Sequence, residues 1–194
     1  NRGELKVVMG VRNDGQTIPF GCWSDEKWED IGKEIKKKSI ETGPLSKVLV
    51  SDGEPGLSSG LADLSNEQQR SHWHMIRDLG HMMWLDEANK YERNKMKKRL
   101  RGIIGIEIPK QDFKKVSAEH KDEIKQLAEQ ALENMDSFTK GLFRKGYDQA
   151  ARYVRSAKDK LFTYIKLWFK YGLISPRASS LIERMMREIG RRIK

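Results

Sequence analysis

Two acids set the chemical question. Asp52 ends the apolar run Val48-Leu49-Val50-Ser51, and a Gly/Pro-rich turn from Gly53 to Gly56 follows it. A carboxylate at the carboxyl end of a buried strand faces the crevice where α/β sheets hold their ligands, and glycines beside it let backbone or substrate come close. The competing reading is an ordinary turn or cap aspartate. Glu183 stands far downstream in "SSLIERMMREIGRRIK". With Arg187, Gly190 and Lys194 it falls at i, i+4, i+7 and i+11, a stripe apart from the apolar face of Leu181, Ile182, Met185, Met186, Ile189 and Ile193. One acid heading a line of cations reads in two ways. It is a solvated face with a Glu183–Arg187 pair worth a few tenths of a kcal/mol, or a metal-binding acid beside cations that track phosphates.

The other reactive side chains say less. His72 and His74 in "QRSHWH" alternate along a predicted strand and would share a face. Two imidazoles fall short of a zinc site, which takes a third protein ligand, so an orienting or structural role is expected. His81 and His120 have no spacing that adds to them. Cys22, the one cysteine, lies between Gly21 and Trp23 in an apolar run and is expected as a core thiol. A single cysteine excludes an intrachain disulfide and a cysteine-based zinc site.

The elements that must position these residues can be read from pattern. "ELKVVMGV" and "TIPFGCW" flank Asp14-Gly15, a tight-turn signal, so residues 5 to 23 are expected as a β-hairpin. "SDEKWEDIGKEIKKKSI" reads as a helix capped by Ser24 or Asp25, with lysines in its last turn and Trp28, Ile31 and Ile35 on its buried face. "KVLVS" reads as a strand covered on both faces. A short helix to about Leu64 follows, then a strand entering a helix near Met75. Residues 5 to 80 thus read β-β-α-β-α-β-α, an α/β pattern with a mixed sheet.

From about Asp86 the chain turns helical and basic. "KMKKRLR" and "FRKGYDQAARYVRSAKDK" are candidate DNA or partner surfaces, and each is equally a solvated helical face. A helix opens at Ser117 with Ile124, Leu127, Ala131 and Leu132 as its stripe. A long helical pattern breaks at Gly172, and a last helix follows Ser175-Pro176. Tyr91, Trp168 and Tyr171 are expected in the core rather than as stacking platforms. The 194 residues carry 38 Lys and Arg against 28 Asp and Glu, a net charge of +10. A surplus of that size favours polyanionic partners, nucleic acid first. No signal peptide and no apolar stretch of spanning length is present, so an intracellular protein without membrane association is expected.

Taken in order, "VLVSDGEPGLSSGL", "QRSHWHMIRDL" and "SSLIERMMREIGRRIK" resemble the DDE transposases of the Mutator type found in prokaryotic insertion sequences. The hairpin "KVVMGVRNDGQTIPFGCW" and the helix after it also resemble that family's second and third strands and first helix. The resemblance implies an RNase H-like mixed sheet flanked by helices, with a large all-helical insertion before the last catalytic helix. Residues 1–85 would be the core, 86–172 the insertion and 173–194 the catalytic helix. It implies Asp52 and Glu183 as the second and third catalytic acids, both binding metal, as two Mg²⁺ or Mn²⁺ ions. The family's "QRCxxH" reads Gln69, Arg70, Ser71 and His74 here, with serine in place of cysteine, and Ser180 stands where relatives often carry asparagine. His74, Arg184, Arg187, Arg191 and Lys194 are the implied DNA contacts.

Double-stranded DNA, as transposon ends and target, is the implied partner, with homo-oligomerisation on DNA and a cytoplasmic, nucleoid-associated location. The family's first catalytic Asp lies on a strand upstream of the hairpin. Asp14, in the turn, and Asp25, at the helix cap, do not stand in for it. That strand would lie between the hairpin and the Asp52 strand, so this chain is expected to be part of a longer protein. Two other readings stay open: a non-catalytic DNA-binding or assembly protein derived from a transposase, and a basic helical RNA-binding module. The latter explains the charge but not the paired "SDG" and "ER" motifs.

Overall fold

The computed structural model describes residues 5–12, 16–42, 46–178, 182–184, 187–188 and 191. The chain is α/β, mostly helical, with small sheets, and it divides into two compact units. One unit takes residues Asn1–Gln69 and Ala178–Lys194; the other takes Arg70–Arg177.

In the first unit, strand β1 (Leu5–Val11) pairs antiparallel with β2 (Thr17–Ser24), with an irregularity between Val8 and Met9. The expected hairpin is therefore present, although its Asp14-Gly15 turn lies outside the described residues. Helix α1 (Trp28–Thr42) follows, then β3 (Ser46–Ser51), α2 (Pro55–Gly60), a 3₁₀ turn at Ala62–Leu64 and β4 (Ser65–Arg70). Trp28, Ile31 and Ile35 are buried as their spacing predicts, and they join Trp23, Leu61 and Leu64 in one core. Val8, Phe20, Leu49 and Leu57 pack against it. The approach of α1 to the end of α2 is close. A Cβ on Gly32 would run into the Gly60 carbonyl, and one on Gly60 would come within 2.5 Å of the Trp28 backbone.

Several expectations change here. α1 begins at Trp28, beyond Ser24 and Asp25, because Ser24 closes β2 and Asp25 turns the chain with φ of +59°. Lys36, Lys37 and Lys38 fall before the last turn of α1, which holds no basic residue. The sheet is not continuous among the described residues: β1 pairs with β2, and β3 with β4, as separate two-stranded sheets. β3 is correspondingly half-buried rather than covered on both faces. Cys22 is exposed, because alternation along β2 turns Trp23 into the core and its neighbour outward.

The second unit is helical. It contains α3 (His72–Leu85), α4 (Lys90–Ile104), α5 (Ala118–Arg144), α6 (Asp148–Ala157) and α7 (Thr163–Tyr171). Asn89 caps α4 by accepting from the Glu92 amide, and Ser117 caps α5 by accepting from that of His120. Met75, Leu79 and Met83 face the core from α3, Met96, Leu100 and Ile104 from α4, and Ile124, Ala131, Met135, Phe138 and Leu142 from α5. Leu127 points outward, at 48% exposure. The long pattern after Tyr147 is two helices, separated by a 3₁₀ turn at Lys158–Lys160. α7 stops at Gly172, whose φ of +65° suits glycine. Trp168 is fully buried as expected, whereas Tyr91 (72%) and Tyr171 (46%) are exposed and leave the predicted core.

Candidate functional site

Asp52 follows the last residue of β3, and its carboxylate is half-buried. Oδ1 accepts the Glu54 backbone N–H at 3.1 Å, an Asx-type turn that fixes the side chain over the chain reversal. Gly53, at φ of +84°, makes that reversal in a conformation most side chains resist. Pro55 then starts α2 without a side-chain cap. Among the described residues Oδ2 accepts no hydrogen bond. The Glu54 amide and the Gly53 turn thus orient the carboxylate.

Glu183 belongs to the same compact unit. Residues 182–184, 187, 188 and 191 are helical, as the periodicity of this segment predicts. Glu183 is half-buried; Arg184, Arg187 and Arg191 are exposed. Arg191 donates to Glu188 at 2.8 Å, an exposed pair that adds little stability. Lys194 and Gly190 lie outside the described residues. Among the described residues no cluster of three or more His, Cys, Asp or Glu side chains stands ready for a metal. The donors that Asp52 and Glu183 offer are carboxylate oxygens, the type Mg²⁺ and Mn²⁺ prefer.

The histidines differ from expectation. β4 ends at Arg70 and α3 begins at His72, so His72 and His74 are helical, two residues apart and on different faces. His72 is buried, and its Nε2–H donates to the Leu161 carbonyl at 2.8 Å. Burial, aided by the charge of Arg177, pushes its pKa down to about 4, against the contribution of that hydrogen bond. The ring is neutral at pH 7 and structural. His74 is half-buried, with its ring edge-on to Trp73 at 4.8 Å.

The segment Gln69-Arg70-Ser71 is buried throughout. Arg70 donates to the Tyr153 hydroxyl at 2.6 Å, and that hydroxyl donates to Asp78 at 3.3 Å. Burial pushes the Tyr153 pKa up to about 12, so it remains a neutral bridge between cation and carboxylate. A parallel arrangement surrounds Arg177, whose Nη2 donates to both Glu107 carboxylate oxygens at 2.8 and 3.0 Å while Nη1 donates to the Ile106 carbonyl. Tyr164 donates to the same carbonyl at 2.7 Å. Tyr153, Asp78, Tyr164 and Arg177 carried no local motif; their roles depend on helices meeting far apart in sequence.

Searches against family models, curated proteins and solved structures find no match to this chain.

Proposed function

We propose that this chain carries the catalytic acids of a DDE-type DNA transposase, of the Mutator kind that its motifs resemble. The observation that carries the reading is Asp52. Its carboxylate stands at a strand exit and is held by the Glu54 amide over a glycine turn, in the compact unit that also contains helical Glu183. In this reading the fold is RNase H-like and residues 86–172, which lie within the helical unit, are the insertion. Among the described residues β1–β2 and β3–β4 are separate two-stranded sheets, and in this reading a strand bearing the first acid would lie between β1 and β3.

Asp52 and Glu183 would hold Mg²⁺ or Mn²⁺, which when bound supply Lewis-acid activation of the attacking oxygen and stabilisation of the leaving 3′ oxygen at a DNA phosphate. The chain's own part is positioning. The Asx turn fixes Asp52 before substrate arrives, so no reorganisation is needed at the reacting phosphate. Arg184, Arg187 and Arg191, exposed along the Glu183 helix, would neutralise backbone phosphates of duplex DNA. Cleavage at transposon ends and joining to target DNA would follow, by a homo-oligomer assembled on DNA in the cytoplasm.

The test is a nicking and strand-transfer assay of the full-length protein on its element's end DNA, with Mg²⁺, with Mn²⁺ and with EDTA. Metal-dependent nicking is the expected result. Tight DNA binding without cleavage would replace the proposal by a binding or assembly protein.

A further inference from the structure

A groove of about 470 Å³ lies where α3 packs on α4, wholly within the helical unit. Lys90, Arg93 and Lys97 line it from α4, spaced i, i+3 and i+7 and so on one face. Arg77, His81 and Trp84 line it from α3, at i, i+4 and i+7. No acid lines it.

Three carboxylates near these two helices are engaged elsewhere, and Glu87, in the link between them, lies beside Trp84 but not in the groove's lining. Asp86 accepts the Gln149 and Ala150 amides at the start of α6, at 3.1 and 2.9 Å. Glu92 pairs with Lys145 at 2.8 Å, and Asp78 takes both Arg77 and the Tyr153 hydroxyl. The charge of Lys90, Arg93 and Lys97 is therefore not answered by the groove's own lining. Arg93 makes the point at atomic level, since its Nε is buried with no hydrogen-bond partner among the described residues. The floor is kept open by Gly80, over which Lys97 lies; a Cβ there would come within 3.0 Å of the Lys97 Cδ.

The aromatic side chains give the second half of the chemistry. Trp84 is 56% exposed and stacks on His81, with centroids 5.7 Å apart and planes 19° apart. Trp73 continues the same stripe of α3, 48% exposed, with the Arg77 guanidinium 5.0 Å from its ring. Large exposed aromatics interleaved with cations form the surface on which unpaired bases stack while phosphates track the charges.

We propose that the α3–α4 groove binds a single-stranded nucleic-acid segment, with phosphates on Lys90, Arg93 and Lys97 and a base stacked on Trp84. This site does not depend on the acid pair of the proposed transposase. Cleavage assays report on Asp52 and Glu183, and binding to the groove is read separately.

The experiment is fluorescence anisotropy of the full chain with a labelled oligo-dT strand and with a duplex of equal length, across a salt series. The combined variant Lys90→Gln, Arg93→Gln, Lys97→Gln should weaken single-strand binding at least tenfold. It should also lower the slope of log affinity on log salt by about 2, from three contacts at roughly 0.7 each. Trp84→Ala should weaken binding about fivefold or more without changing the slope, and Trp84→Phe should restore most of it. Lys125, Lys140 and Lys166 are exposed on α5 and α7, so changing all three to Gln removes equal charge elsewhere. Equal weakening by that control, indifference to Trp84→Ala, or stronger binding of the duplex than of the strand would overturn the inference.

Discussion

At the scale of single residues, burial decides what each polar group can do. His72 shows this most clearly. Its folded pKa of about 4 lies below its ordinary value of 6.5, because the charged ring would be stranded among buried groups. Between those values the unfolded chain binds a proton that the folded chain refuses, so stability is full above pH 6.5 and falls as pH drops towards 4. The loss amounts to at most about 3 kcal/mol for a shift of this size. Carboxylates held low, such as Glu92 beside Lys145, contribute their own loss only at lower pH. Urea unfolding monitored from pH 7.5 to 4.5 should therefore show declining stability. His72→Gln should be less stable at pH 7.5 and should flatten that decline; an unchanged slope would show that His72 is not the titrating group.

At the scale of elements, two contacts are open to direct test. Gly32 lets α1 rest against the Gly60 carbonyl, and Gly32→Ala should destabilise the first unit by roughly 1–3 kcal/mol, through forced backbone movement rather than helix propensity. An unchanged thermal midpoint would mean that α2 moves aside freely. Ser117→Ala should cost about 1 kcal/mol by removing the acceptor for the His120 amide, while Ser117→Asp should retain the stability in a urea titration.

The same elements show how much was legible. Trp28, Ile31 and Ile35 revealed the buried face of α1, the Ser117 cap opened α5 as its residue type suggests, and Gly172 ended α7. The misreadings have physical causes. β4 is "SNEQQR", a polar strand with no apolar alternation to mark its end, so the pattern extends it into α3 and makes two helical histidines resemble strand partners. Tyr91 and Tyr171 are aromatic but sit on outward faces of their helices, a distinction that needs tertiary packing. For the candidate site, Asp52 was visible from the run "VLVSDG". The Asx turn that fixes it needed coordinates, as did the groove of α3 and α4, whose lining spans residues 77 to 97 on two helices.

At the scale of the whole molecule, the two units divide the chemistry. The first holds Asp52 and Glu183; the second holds the buried Arg–Tyr–Asp bridge and the basic, aromatic groove. The chain carries a surplus of ten positive charges, a balance that favours contact with polyanions. On the proposed reading, Asp52 and Glu183 are catalytic acids rather than a turn residue and a surface glutamate. It is tested most directly by the rate of Mn²⁺-dependent end nicking by the full-length protein, compared with Asp52→Asn and Glu183→Gln at matched DNA occupancy. Catalytic acids at these positions should give at least a thousandfold loss in both variants with folding and DNA binding intact, roughly 4 kcal/mol or more of barrier. Nicking that proceeds at the unmodified rate in either variant would contradict that reading.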